Sequence, residues 1–291
     1  MTDTSIFPAA ATVEGIPGVV APGTGVRKIS GGFKFTEGAT ANAAGEVFFV
    51  DQPNDQILRW SEQDGLSVFM YPAGHANGMC FAKDGTLKVC ADTKMELWSV
   101  TPDKQITVIA KGYGGKDFNG PNDVWAAPNG DCYLTDPFYG RPWWTHKEPP
   151  QVTRQVYHLP KGGSPRRVTH DLVQPNGIIG TPDGRKLYVS DINAGKTYVY
   201  DIAADGSLDN RRLFCEKGSD GMAIDCEGRV YLTAKGVFVY SPGGELLGMI
   251  PVPEPWCGNV CIGGPQHNIL YITASRGFYS VPLLTKAPTG E

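Results

Sequence analysis

Two carboxylates and four carboxamides stand at the same point of a repeated segment, and together they could hold a hard divalent cation. The residues are Glu37, Asn77, Asn122, Asn176, Asp220 and Asn259. Each offers a side-chain oxygen and no thiolate or imidazole, a donor set suited to Ca²⁺, Mg²⁺ or Mn²⁺. Without a cation, two carboxylates brought this close would repel and one would take up a proton. Taken singly, Asn and Asp also begin strands by capping turns. The shared register, with a Glu where a turn would favour Asn or Asp, turns the set toward metal binding.

The elements that must position these residues follow from the repeat. Six segments share one plan: an oxygen-bearing residue, a short strand, a turn and a second strand. NDVWAAPNGDCYLTD from Asn122 and NGIIGTPDGRKLYVSD from Asn176 are two of them. A turn glycine falls eight residues after the opening residue at Gly45, Gly85, Gly130, Gly184 and Gly228, with His267 in the sixth segment. Openings are 40, 45, 54, 44 and 39 residues apart. Asp84-Gly85, Asn129-Gly130 and Asp183-Gly184 are hairpin dipeptides in which Gly supplies positive φ. Four strands per segment fit a propeller blade. The expected fold is all-β: a six-bladed β-propeller with four antiparallel strands per blade. Its last blade lacks one strand, which Val26–Ser30 would supply, closing the ring and hiding an edge. In that fold the opening residues surround one mouth of a central channel.

The 291 residues read as one domain over 1–291, with 1–24 as an N-terminal extension. A hydrophobic share of 41% supports a packed core. The net charge is −4 with no basic stripe, which argues against a nucleic-acid partner. No run of apolar residues is long enough to span a membrane, and no signal peptide is evident. A cytoplasmic location is expected, or a periplasmic one if a leader has been removed. The chain is expected to act as a monomer or homodimer. Seven cysteines without a CxxC read as reduced thiols packed as small hydrophobes.

FTEGATANAAGEVFFVDQPNDQILRW (35–60), FNGPNDVWAAPNGDCYLTDPFYG (118–140), QPNGIIGTPDGRKLYVSD (174–191) and SDGMAIDCEGRVYLT (219–233) resemble the family of gluconolactonases, regucalcin (senescence marker protein 30) and luciferin-regenerating enzymes. The resemblance implies a lactone hydrolase with one divalent ion, Ca²⁺ foremost, with Mg²⁺, Mn²⁺ or Zn²⁺ as alternatives. It makes Glu37, Asn176 and Asp220 metal ligands, Asp220 also a proton carrier, and Asn122 a residue that touches metal or substrate. Two departures stand out. Asn77 replaces the His of paraoxonase-type propellers, and Gly120 stands where regucalcin-like members carry a sugar-binding Arg.

On this reading the cation polarises a small lactone's carbonyl and Asp220 acts as general base, a hydroxide on the cation being the alternative. No G-x-S-x-G elbow is present. Asn77, Asn122 and His75 would face the substrate. So would the aromatic loop 137–155, in which Phe138, Tyr139, Arg141, Trp143, Trp144 and His146 could wall a pocket and Arg141 could bind a carboxylate. The competing functions are a non-catalytic binding propeller with a structural ion, and a metal-free propeller of the strictosidine-synthase type.

Overall fold

A computed structural model describes residues 9–288. The described chain forms two compact units, one running to Tyr71 and resuming at Asp220, the other spanning Pro72–Ser219. Each is built from three four-stranded antiparallel sheets, one of them carrying a fifth strand. Among the described residues helix is confined to two single 3₁₀ turns, Gln52–Asn54 and Asp92–Lys94. The fold class is the expected six-bladed β-propeller.

The first unit holds blade one (Thr36–Ala41, Val47–Asp51, Gln56–Ser61, Gly65–Met70) and blade five (Met222–Ile224, Val230–Ala234, Gly236–Tyr240, Leu246–Ile250). Its blade six consists of Cys257–Gly263, Ile269–Ala274, Gly277–Pro282 and the N-terminal strand Gly25–Gly31. Arg27 pairs with Ser280 and Gly31 with Gly277, so the N-terminal strand closes this blade as the sequence suggested. A further strand, Ala9–Thr12, lies outside it. The segment expected as an extension is therefore structural from residue 9 onward: Val13, Ile16, Val19 and Val20 are buried in the core with Tyr231, Ile250 and Leu270.

The second unit holds blade two (Ala76–Phe81, Leu87–Ala91, Glu96–Val100, Ile106–Ala110) and blade four (Pro175–Gly180, Lys186–Asp191, Lys196–Ile202, Leu208–Cys215). Between them in sequence is blade three (Val124–Ala126, Cys132–Asp136, Gln155–Leu159, Arg166–Arg167). Second strands such as VFFVD, CYLTD and VYLTA are buried along their whole length, while outer strands such as ITVIA are mostly exposed. Continuous apolar runs belong where both faces are covered. The five turn glycines have φ between 71 and 92°, and His267 takes the same left-handed turn at 53°.

Two repeated devices set the blade openings. A buried hydroxyl near the end of the second strand ties neighbouring first strands. Thr135 Oγ1 accepts from Asp123 N at 3.1 Å and donates to the Asn176 carbonyl at 2.7 Å. Thr233 Oγ1 accepts from Gly221 N at 2.7 Å and lies 3.0 Å from the Gly258 carbonyl. The Asp that follows accepts backbone N–H groups from the segment leading into the first strand. Asp136 takes Asn119 and Gly120, both at 2.9 Å, and Asp191 takes Val173 and Gln174. Asp51 takes Lys34 and Phe35. These carboxylates satisfy backbone donors, those of Asn119, Gly120 and Gln174 in fully buried bonds. Burial nonetheless pushes Asp136 up to about 7, against the opposing pull of its two N–H partners.

All seven cysteines are free, and five are buried. Burial is the main cause that lifts the Cys132 thiol to about 12, so such thiols behave as inert apolar groups. No helix among the described residues is long and apolar enough to cross a membrane.

Candidate active site

The first unit contributes Glu37 and Asp220. Glu37 is the second residue of the first strand of blade one, is only 5% exposed, and accepts from Gly38 N at 3.2 Å. Its carboxyl lies against Gly258, where an added Cβ would stand 2.7 Å from Cδ and Oε1 and 2.8 Å from the Thr36 carbonyl. Asp220 is tied by its N–H to the Thr233 carbonyl at 3.2 Å, and its Oδ2 accepts from Trp256 Nε1 at 2.6 Å. Trp256 was not singled out from the sequence; an indole just ahead of a blade opening was the only available sign of it.

Asn259 departs from the expected register. Asn259 pairs opposite Thr273, and Val260 opposite Ile272. In blades three and five the corresponding pairs are Val124 with Leu134 and Met222 with Leu232. The latter pairs are 10 residues apart and Val260 and Ile272 are 12 apart, so the sixth hairpin is longer. Gly258, not Asn259, therefore matches Asn122 and Asp220. The Asn259 Oδ1 accepts from Val260 N at 2.7 Å, serving its own strand. Five oxygen-bearing side chains, not six, share the opening register.

The second unit contributes Asn77, Asn122 and Asn176, all buried. Gly78 lets the first strands of blades two and three touch: its N–H donates to the Asn122 carbonyl at 2.7 Å, and a Cβ there would fall 2.6 Å from that oxygen. Asn176 Nδ2 donates to the Tyr139 hydroxyl at 2.9 Å, which leaves Oδ1 as the amide's remaining acceptor. The carboxamides of Asn77 and Asn122, 5% and 6% exposed, make no hydrogen bond to another described residue. Neither carries a fully buried polar atom that lacks a partner, so both amides are open to solvent or to a bound species.

The 137–155 loop packs in the same unit. Trp143 stacks on His75 with centroids 4.1 Å apart, and His75 Nδ1 lies 2.8 Å from Thr93 Oγ1. The Arg141 guanidinium sits 5.6 Å from the Tyr139 ring and 5.8 Å from the Trp143 ring. Trp144 is not pocket surface; it is buried, with Nε1 donating to the Asp92 carbonyl at 2.8 Å. Its ring also accounts for Gly120: a Cβ there would fall 2.5 Å from Trp144, so no side chain could be placed.

Sequence reasoning missed Asp92. By spacing it resembles Asp51, Asp136 and Asp191. Ala91, however, pairs with Ala76 as Asp51 pairs with Thr36 and Asp191 with Pro175, so Asp92 stands one residue past their register. It opens a 3₁₀ turn as Gln52 does, and accepts side chains from the loop. Trp143 Nε1 donates to its Oδ2 at 3.1 Å, and Arg141 Nε forms an ion pair with it at 3.1 Å. Burial pushes Asp92 up to about 6, although Arg141 and Trp143 both pull it down. Among the described residues no group of three or more His, Cys, Asp or Glu could hold a metal ion, so a cation here would need amide as well as carboxylate oxygens.

A family profile described as "SMP-30/Gluconolactonase/LRE-like region" matches residues 35–276. The gluconolactonase of Zymomonas mobilis subsp. mobilis is 30% identical over 292 residues, covering 89% of this chain and 81% of that protein. A solved structure of a protein proposed to be a gluconolactonase superposes with a TM-score of 0.87 at 31% identity, covering 94% of this chain and 96% of the other. A gluconolactonase from Xanthomonas campestris gives a TM-score of 0.84 at 26% identity, covering 96% and 99%.

Proposed function

The chain belongs to the SMP-30/gluconolactonase/LRE-like family and is a lactonase, and from that premise we propose that it opens a small sugar-type lactone with the help of one divalent cation. The proposed ligands are Glu37, Asn122, Asn176 and Asp220. The observation that carries the metal reading is the pair of buried carboxamides at Asn77 and Asn122 that bond to no described residue, at the same register as two carboxylates. An all-oxygen donor set of this kind favours Ca²⁺, Mg²⁺ or Mn²⁺ over Zn²⁺.

The bound cation would supply Lewis acidity to the lactone carbonyl and to the oxyanion that develops on it. The protein's own groups do the rest. Asp220 accepts a proton from the attacking water, whose oxygen forms a bond to the carbonyl carbon. The ring C–O bond then breaks, and Asp220 returns the proton to the departing ring oxygen, leaving a hydroxy acid. Trp256 Nε1 holds Asp220 Oδ2, fixing the carboxylate's orientation for both transfers. Tyr139 holds Asn176 by its Nδ2, so that amide presents oxygen. Asn77, His75, Tyr139, Arg141 and Trp143 are the proposed substrate contacts.

The test is hydrolysis of a panel of aldonolactones, followed by proton release, with the protein metal-loaded, chelated and re-loaded. We expect activity that chelation abolishes and cation restores, and that Asp220→Asn lowers by about 10²–10⁴-fold with the fold intact. Metal-loaded protein that matches only the spontaneous rate would sink the proposal and leave a binding propeller.

A further inference from the structure

We propose that Asp92 and Arg141 form a built subsite for an acid group, so that the preferred lactones carry a carboxylate remote from the carbonyl that is attacked. This rests on the lactonase reading above and adds the substrate class to it.

The starting point is a buried aspartate whose carboxylate serves side chains and not the backbone. Asp51, Asp136 and Asp191 each spend their carboxylate on backbone N–H groups of the segment before the first strand. Asp92, one residue past that register and only 2% exposed, spends its carboxylate on Arg141 and Trp143 instead. Its carbonyl holds Trp144 as well. One buried residue therefore fixes three side chains of the 137–155 loop.

Arg141 is the only cation in that arrangement. Its side chain is 20% exposed, Asp92 faces its Nε edge, and the guanidinium carbon lies over the Tyr139 and Trp143 rings. Its two terminal nitrogens make no hydrogen bond to a described residue. Only Nε is sealed from solvent, so the two terminal nitrogens are open to the oxygens of a ligand. The fork geometry matches the two oxygens of a carboxylate. Asp92 cancels the formal charge of Arg141, so recognition rests on directed hydrogen bonds more than on net field.

The place of the subsite fits the chemistry. The Tyr139 ring that faces Arg141 carries the hydroxyl bound by Asn176, a proposed cation ligand. One tyrosine thus touches both the guanidinium and the amide, which places the fork beside a proposed cation ligand and suits a ligand with its lactone carbonyl at one end and a carboxylate at the other. Arg141 is the contact residue, and Asp92 is a positioning residue that acts through it.

The experiment compares two lactones of the same ring size that differ only at the far carbon, one ending in CH₂OH and the other in carboxylate, on the full metal-loaded chain. Wild type is expected to favour the acid by 10-fold or more in kcat/KM. Arg141→Leu should lower the acid-to-neutral ratio by about 10- to 100-fold, the value of a lost charge-assisted hydrogen-bond pair. Asp92→Asn should lower the same ratio through KM for the acid, with Asp92→Glu restoring part of it. Equal use of both lactones by wild type, or an equal loss on both in Arg141→Leu, overturns the proposal. Titration with the open-chain dicarboxylic acid reads the subsite apart from turnover. Wild type that binds this acid at least 10-fold tighter than Arg141→Leu supports the subsite even if no lactone is hydrolysed, an outcome that counts against the lactonase reading alone. Equal binding overturns it.

Discussion

Gly258→Ala tests the packing that holds Glu37. The new Cβ would stand 2.7 Å from the Glu37 carboxyl carbon and Oε1 and 2.8 Å from the Thr36 carbonyl. Ordinary contacts begin several tenths of an ångström farther out, so both neighbours must shift. Glu37 could turn only by leaving its position, and Thr36 is held because its Oγ1 donates to the Gly277 carbonyl at 3.0 Å. Overpacking of a buried site costs about 1–3 kcal/mol. At about 2–4 °C per kcal/mol for a chain of this size, the midpoint of thermal unfolding should fall by about 2–12 °C. A displacement approaching 1 Å at a reacting group costs about 10²-fold in rate. Calorimetry, cation titration and lactone hydrolysis should therefore all respond. Gly243→Ala is the control, because its Cβ would meet only Ser241 Oγ at 3.6 Å. If Gly258→Ala matches wild type in unfolding midpoint, cation affinity and kcat/KM, the account of Glu37 is wrong.

Glu37→Gln should weaken cation binding and lower kcat/KM by at least 10-fold while circular dichroism is unchanged, since a carboxylate ligand is replaced by a neutral amide. Thr233→Val keeps the side-chain volume but strands the Gly221 N–H and the Gly258 carbonyl, and urea titration should show a loss of about 1–3 kcal/mol. Burial raises Asp92 to about 6 from 3.8, so the folded state binds its proton more tightly than the unfolded state. Its contribution is fully present below the ordinary carboxylate range and is lost as pH climbs through 6, a swing of about 3 kcal/mol. The urea midpoint should accordingly fall less steeply between pH 4 and pH 7 in Asp92→Asn than in wild type. Trp256→Phe removes the Nε1 donor from Asp220 and should lower kcat more than it raises KM, read from full lactone saturation curves.

The blade plan was legible in the chain because it is local. A hairpin needs a left-handed turn residue at a fixed distance from two apolar strands, and Gly45, Gly85, Gly130, Gly184 and Gly228 announce it. The N-terminal closure was legible for a similar reason: the sixth segment runs out one strand short. Register in the sixth hairpin was not legible, because a longer turn shifts the pairing without altering the strand pattern. That shift moved Asn259 out of the opening position and put Gly258 there. Asp92 was hidden for a different reason. It looks like Asp51, Asp136 and Asp191 in the repeat, and only the tertiary fold brings Arg141 and Trp143 to it from about 50 residues away.

By itself the amino-acid order determined the strand periodicity, the turn chemistry and the kind of atom at each blade opening, all consequences of residues a few positions apart. The tertiary structure decided which of those atoms are left without a partner, which carboxylates serve the backbone, and which one holds an arginine. Those outcomes depend on contacts across long loops, where close approach is settled by the absence of a Cβ at Gly78, Gly120 or Gly258 and by which buried donor reaches a carboxylate.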